Sequence, residues 1–313
     1  MGSATTVSDI AQAGFAVQDG ERPFLLRDTG TGEGGMLASD VLRPNMLVRR
    51  HAEGTDVFPI SHPDRPKAVF RFAKAWHHFR ILIKDKEQTE QIVAVVDALP
   101  WRKLAEEASA FLATERGRAI FQAEPYLPDF LDDHAALRRT PKGSFAHAYC
   151  DFMEREGLSA AGMVEATSAR DKDQRKFGDG VAWYIDRLRD FHDLVHIMTG
   201  YGRDLLGEQC VLAFTYHQRP CPGNLFLAWA GNVMMRTKMR TKAPIVRALL
   251  EARRNGKQCP RIVEQPIQEL FAMPLDTVRE MFNVPEPHWY RKVHEVLRAD
   301  GIDAYAFMAK QAG

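Results

Sequence analysis

The chain has little of what would fix its class at a glance. Only four cysteines occur in 313 residues (Cys150, Cys210, Cys221 and Cys259), without a CxxC pair or framework spacing. That excludes a disulfide-stapled fold and predicts reduced, mostly buried thiols in a reducing compartment. Neither sign of charge is in excess: 42 Lys and Arg against 41 Asp and Glu leave a net charge of +1. No whole-protein field therefore attracts nucleic acid, and an acidic substrate has to be captured locally. Long apolar runs are absent too. The most apolar stretch, residues 211–235, is interrupted by HQRPCPGN, leaving two pieces too short to cross a bilayer. No apolar signal core opens the chain, and Asp9, Asp19, Glu21 and Asp28 argue against a transit peptide. No internal repeat is visible, and little strand text follows residue 66.

What is present reads as helix. Hydrophobic residues make up 45% and charged residues 27%, the balance of a soluble globular protein that can bury a sizeable core. Residues 1–66, Gly- and Asp-rich and holding TGTGEGG, read as an irregular N-terminal arm with short strands around Phe24–Leu26 and Met46–Arg49. From residue 67 the apolar positions recur at helical spacing, as in Val69, Phe72, Ala73, Trp76, Phe79 and Ile83. The pattern predicts helices over 68–84, from Thr89, over 102–122, 145–156, 181–199, 205–217, 225–238, 243–255, 262–272, 274–283 and 288–310. The expected fold is all-α: a single compact helical domain at 67–285, preceded by the arm and followed by a helical tail at 286–313.

One segment carries chemistry: YIDRLRDFHDLVHIMTGYGRDLLGE, Tyr184–Glu208. On a helix, His192 and His196 are one turn apart on one face, and Asp193 stands three before His196. The Gly200/Gly202 pair should stop the helix and reverse the chain, so that Glu208 can swing back towards the imidazoles. Two nitrogen and two oxygen ligands suit Zn, Fe, Mn or Co better than Ca or Mg. Asp190 and Tyr184 are positioned to support an imidazole from behind. The segment is not the HExxH protease signature, because Asp193 stands in the second position. It is not convincingly an HD phosphohydrolase site either, since the further His and Asp of that pattern cannot be assigned.

HDLVH followed after eleven residues by Glu208 resembles the HDxxH-x11-E signature of the ubiquinone (coenzyme Q) biosynthesis protein 4 family, and the chain looks like a divergent bacterial member. The likeness extends to residues 82–99, 116–163, 182–193 and 269–285, so it covers about 68–285. The resemblance implies a divalent metal, zinc first, held by His192, Asp193, His196 and Glu208. It also implies a polyprenylated benzoquinone precursor as substrate, and oxidative decarboxylation at ring carbon C1 of a polyprenyl-hydroxybenzoate. By the same likeness the chain is expected to be a homodimer working with other ubiquinone-biosynthesis proteins. Arg187, Arg189 and Asp190 fall on family-like positions, with Asp190 where Glu is commoner. Leu212 and Thr215 depart from the family's Lys and Glu. Asp190 is then the candidate catalytic group, and Arg189, Arg187 and Tyr184 the candidate substrate-binding residues, an arginine clamping the carboxylate. The alternative is a non-catalytic prenyl-lipid-binding scaffold that organises ubiquinone-biosynthesis enzymes at the membrane.

Two further features concern a lipid partner. Val195, Met198, Leu212, Phe214, Leu225, Phe226, Leu227, Trp229, Met234 and Met235 mark a region where an apolar groove could hold a prenyl tail. Between Gly231 and Lys257 eight Lys or Arg face one acid, Glu251, beside that apolar text. This composition suits peripheral contact with an anionic membrane, at the cytoplasmic face of the inner membrane.

Overall fold

A computed structural model of the chain describes residues 44–51, 54–84, 90–168, 177–239 and 241–305. The strand expected at Phe24–Leu26 lies outside them, as do residues 306–310 of the helix expected over 288–310; that helix ends at Ala299, where the chain turns through Asp300 and Gly301, whose φ is +68°. The described chain opens with β1 (Met46–His51) and β2 (Gly54–Pro59), an antiparallel pair registered from Met46↔Pro59 to His51↔Gly54. β1 contains the expected strand at Met46–Arg49. β2 carries no alternating signal, because GTDVFP offers only adjacent Val57 and Phe58. What orders the hairpin is tertiary packing: Leu47 is 1% exposed in a cluster with Trp101, Leu112 and Val181.

Fifteen helices follow among the described residues: α1 (Phe72–Lys84), α2 (Glu90–Ala98), α3 (Leu104–Ala113), α4 (Glu115–Ala123), α5 (Leu127–Asp132), α6 (His134–Leu137), α7 (Phe145–Glu156), α8 (Ala160–Ser168), α9 (Gly180–Thr199), α10 (Leu205–Thr215), α11 (Pro222–Met239), α12 (Ile245–Gln258), α13 (Ile267–Phe271), α14 (Leu275–Met281) and α15 (His288–Ala299). The fold is therefore mostly α, with a two-stranded hairpin as its only sheet among those residues. The expected 102–122 helix is two helices. Thr114 takes an extended conformation (φ −76°, ψ 154°), ending α3, and its hydroxyl caps α4 by accepting from Gly117 N at 2.9 Å. The expected 262–272 helix is a 3-10 turn at Ile262–Glu264, then Pro266, then α13. Helices α5, α6 and α8 have no counterpart in the sequence reading; they are four to nine residues long, too short for a periodic pattern.

The long helix α9 positions everything that follows. Asp179 caps its start, accepting from Ala182 N at 2.8 Å, and is locked in turn by Arg65 at 2.5 Å. Its first half packs Val181 and Tyr184 into the cluster with the hairpin, α3 and α4. Its second half sits in the main core with α7, α10, α12 and α15, through Phe191, Leu194, Val195 and Met198. From Asp193 to Thr199 every residue is buried, so this stretch is enclosed on all sides. Val195, Met198, Phe214 and Met235, expected near a lipid groove, lie in that main core at 0–3% exposure. Leu225, Phe226, Leu227 and Trp229 of α11 are half-buried.

Candidate metal centre

Helix α9 ends at Gly200, whose φ of +72° is the left-handed conformation that glycine adopts at no steric cost. The chain then doubles back within four residues. Asp204, 0% exposed, starts α10 by accepting from Leu206 N at 3.1 Å and Gly207 N at 3.2 Å. Gly207 presses against the reversal: a Cβ there would lie 1.9 Å from the Gly202 carbonyl oxygen. Any side chain at 207 would collide with the turn itself, and Glu208 is the next residue. Tyr290 of α15 buttresses the turn, its hydroxyl accepting from Gly202 N at 2.9 Å and donating to Asp204.

The reversal brings His192, His196 and Glu208 together. His196 Nε2 lies 3.3 Å from His192 Nε2, and Glu208 Oε2 lies 3.5 Å from each of these nitrogens. A four-coordinate ion with ligand bonds of about 2.0–2.2 Å needs donor–donor edges of about 3.3–3.6 Å, whereas six-coordinate magnesium at about 2.1 Å needs about 3.0 Å. All three observed edges match the tetrahedral case. His196 is buried, and its Nδ1 lies 3.0 Å from the Tyr201 carbonyl, which can only accept. The neutral ring therefore carries its proton on Nδ1 and presents the Nε2 lone pair to the triad. Phe152 of α7 stacks on this ring at 5.9 Å and fixes its plane.

The electrostatics suit a cation. Burial alone would raise the Glu208 pKa, but hydrogen bonds from both histidines hold it well below the usual carboxylate range. Burial likewise opposes charge on His196, and Glu208 and the Tyr201 carbonyl outweigh it, raising that imidazole. The side chains of His192 and Glu208 are 32% and 27% exposed while that of His196 is 0%, so the triad is closed below and open above. At its rim stands Arg203, with Nε 3.9 Å from Glu208 and one terminal nitrogen 3.9 Å from Glu156.

The other expected site residues lie elsewhere. Asp193 is buried on the next strip of α9, a 100° rotation from His192. It is not part of the triad, and after burial its carboxylate is the main cause of the raised Tyr149 pKa. Asp190 leaves α9 about 200° from His192, on the opposite face. There it lines a cleft of about 230 Å³ walled also by Arg49, Phe58, Phe121, Tyr126 and Trp183. Burial raises its pKa to about 6 despite the bond from Arg189 Nε at 2.8 Å. Arg189 also binds Asp186 at 2.9 Å. Arg187 is 2% exposed, paired with Glu124 at 2.6 Å, and donates to the carbonyls of Val263 (2.7 Å) and Gln265 (2.5 Å). The Tyr184 hydroxyl donates to Glu264 at 3.2 Å, about 12 Å along the helix from His192. Arg187, Arg189 and Tyr184 are thus each bound to groups outside the triad. The residue beside it is Arg203, whose only sequence signal is its place in the turn leading to Glu208.

The family model described as Coenzyme Q (ubiquinone) biosynthesis protein Coq4 matches residues 73–288, which contain the whole triad. The chain belongs to the Coq4 family. Among curated Coq4 relatives, the cattle protein named ubiquinone biosynthesis protein COQ4 homolog, mitochondrial, is 26% identical over 172 residues, 55% of this chain and 62% of the relative. Homolog 2 from Culex quinquefasciatus is 32% identical over 100 residues, 32% of this chain and 42% of the relative. The chain thus spans less than two thirds of either Coq4 homolog. A crystal structure from Nostoc punctiforme, assigned by name to ubiquinone biosynthesis, is 20% identical with a TM-score of 0.49, covering 70% of this chain and 100% of that one. The hairpin at 46–59 precedes the family match, so the cleft walled by Arg49 and Phe58 is closed by an element outside it.

Proposed function

We propose that this Coq4 chain acts in ubiquinone biosynthesis as a divalent-metal enzyme, with zinc as the first choice of ion. Its substrate would be a polyprenyl-hydroxybenzoate that loses its C1 carboxylate as CO2 and gains a hydroxyl there, an external oxidant being consumed. The observation that carries the reading is a triangle of three ligand atoms at tetrahedral spacing whose upper side is open. His192, His196 and Glu208 would hold the ion, with Asp193 an additional ligand if its side chain turns from the neighbouring strip. When bound, the ion supplies Lewis-acid stabilisation of negative charge developing on the substrate's oxygens.

The rest falls to the chain's own groups. Arg203, half-exposed at the rim and held by two acids at only 3.9 Å, is free to swing its guanidinium onto a carboxylate as a bidentate clamp. His196, fixed by the Tyr201 carbonyl and Phe152, keeps one lone pair aimed at the centre. The prenyl tail would lie against the half-buried Leu225–Leu227 and Trp229 row of α11. No helix among the described residues is long and apolar enough to cross a membrane. Peripheral contact through the basic text of α11 and α12 is therefore part of the proposal, together with homodimer formation and partnership with other ubiquinone-biosynthesis proteins. The competing role is a prenyl-lipid scaffold in which the ion merely ties α9 to α10. It predicts a closed coordination sphere, and the exposed edges of His192 and Glu208 favour the enzyme.

The test pairs elemental analysis of the purified chain with CO2 release from a prenylated hydroxybenzoate. Glu208→Ala should lose both the ion and turnover, while Arg203→Met should keep the ion and raise KM. Turnover surviving in metal-free Glu208→Ala would refute the enzyme reading. Metal binding without CO2 release under any oxidant would favour the scaffold.

A further inference from the structure

A second group of ligand-type side chains stands on the far side of α7 from the triad. His134 opens α6, and Cys150 and Glu154 lie one turn apart on α7. One ligand atom from each falls within 4.8 Å of the others. His134 Nδ1 and Glu154 Oε1 are already 3.2 Å apart, the spacing of two ligands on one ion. Cys150 and the Phe152 that packs on His196 leave α7 about 200° apart, so the two groups do not share a face.

Each side chain is placed in a way an ion pair alone does not require. Cys150 is 0% exposed at the bottom of the group. The side chains of His134 and Glu154, 27% and 54% exposed, form a mouth through which an ion can enter. The His134 ring stands edge-on to Tyr149 at 6.0 Å, which limits its rotation. Arg138 binds Glu154 Oε2 at 2.8 Å and Asp151 at 2.6 Å, orienting the carboxylate and leaving Oε1 turned towards His134.

We propose that His134, Cys150 and Glu154 form a second metal site, selective for zinc-like ions and independent of the triad. Sulfur and imidazole donors disfavour calcium and magnesium and suit Zn²⁺ or Co²⁺. Binding moves the thiol proton to solvent as the sulfur–metal bond forms; no redox change is involved. The charges then balance: thiolate, Glu154 and Asp151 carry three negative charges against three positive ones on the ion and Arg138. Burial pushes the Cys150 thiol up to about 11, so the metal-free group holds a neutral thiol at neutral pH and one net negative charge.

Co²⁺ titration of the 313-residue chain tests this, because the triad contains no sulfur. A thiolate-to-cobalt charge-transfer band in the near ultraviolet reports the second site alone. The band should appear, vanish in Cys150→Ser, and need about tenfold or more additional Co²⁺ in His134→Gln and Glu154→Gln, whose positions are outside the packed core. These two variants should keep the wild-type melting temperature in chelator and the wild-type metal content at the triad. Absence of the band, or a band whose Co²⁺ affinity is unchanged in both surface variants, overturns the proposal.

Discussion

The buried pair of Arg187 and Glu124 offers the most demanding test of how this molecule is held together. Their side chains are 1% exposed and 2.6 Å apart. Arg187 further donates to the carbonyls of Val263 and Gln265, and Glu124 accepts from Gln268 N at 2.9 Å. The guanidinium also lies 5.4 Å above the Trp183 ring and 4.9 Å above Phe191. The pair therefore ties α9 to the end of α4 and to the 262–268 segment. Burial lowers the Arg187 pKa and raises that of Glu124, so each ion is tolerated only because the other is present. Removing one partner of such a pair costs about 3–5 kcal/mol, because the survivor is a buried, unmatched charge. With roughly 2–4 °C of melting temperature per kcal/mol for a unit of this size, Arg187→Met and Glu124→Leu should each lower the midpoint by roughly 6–20 °C. The double variant should lie above the less stable single one, since neither charge remains. Thermal and urea unfolding, followed by far-ultraviolet circular dichroism with metal content held constant, measure all three. If Arg187→Met melted within ~2 °C of wild type yet lost turnover, Arg187 would be a substrate clamp and the structural role would be wrong.

Other consequences are as direct. Gly207→Ala sets a Cβ 1.9 Å from the Gly202 carbonyl, so it should cost about 1–3 kcal/mol or more and loosen metal retention by moving Glu208, read by urea unfolding and elemental analysis. Tyr290→Phe removes both hydroxyl bonds that hold the reversal and should cost about 1–3 kcal/mol in urea, whereas an unchanged midpoint would show that Asp204 is satisfied without it. All four cysteines are free and buried, so with chelator present the native chain should show almost no reaction with a thiol reagent at pH 8 and four reactive thiols in denaturant. Burial pushes the Cys259 thiol up to about 12 from the ordinary 9.0. Between those values the folded chain keeps a proton that the unfolded chain gives up, so stability should fall with rising pH there, by about 1.4 kcal/mol per pH unit from this thiol.

The centre was legible in sequence to the extent that it is local. His192 and His196 share a face because helical spacing puts them there. Gly200 stops α9 because left-handed backbone favours glycine, and the short turn returns the chain in time for Glu208. The adjacent Asp193 shows the limit of that reasoning. Nearness in sequence placed it among the expected ligands, but each residue turns the helix by 100°, and the structure sets it on the next strip.

Partners supplied from far along the chain could not be read this way. Arg187 and Arg189 have the same chemistry, two residues apart. What makes one an internal tie is Glu124 and two carbonyls beyond residue 260, none of which leaves a mark near 187. Tyr290, in a tail without assigned purpose, holds the turn that leads to Glu208 through a hydroxyl 86 residues from Asp204. The hairpin strand at Gly54–Pro59 lacks alternation because its order comes from the cluster behind Leu47 and not from its own residues. The sequence by itself determined the helical class, the start and stop of α9 and the approach of His192, His196 and Glu208, all products of spacing and capping within about twenty residues, while Asp193, expected beside them, lies outside that group. Only the tertiary structure decided which charges face one another, because pairing depends on distances that chain order does not encode.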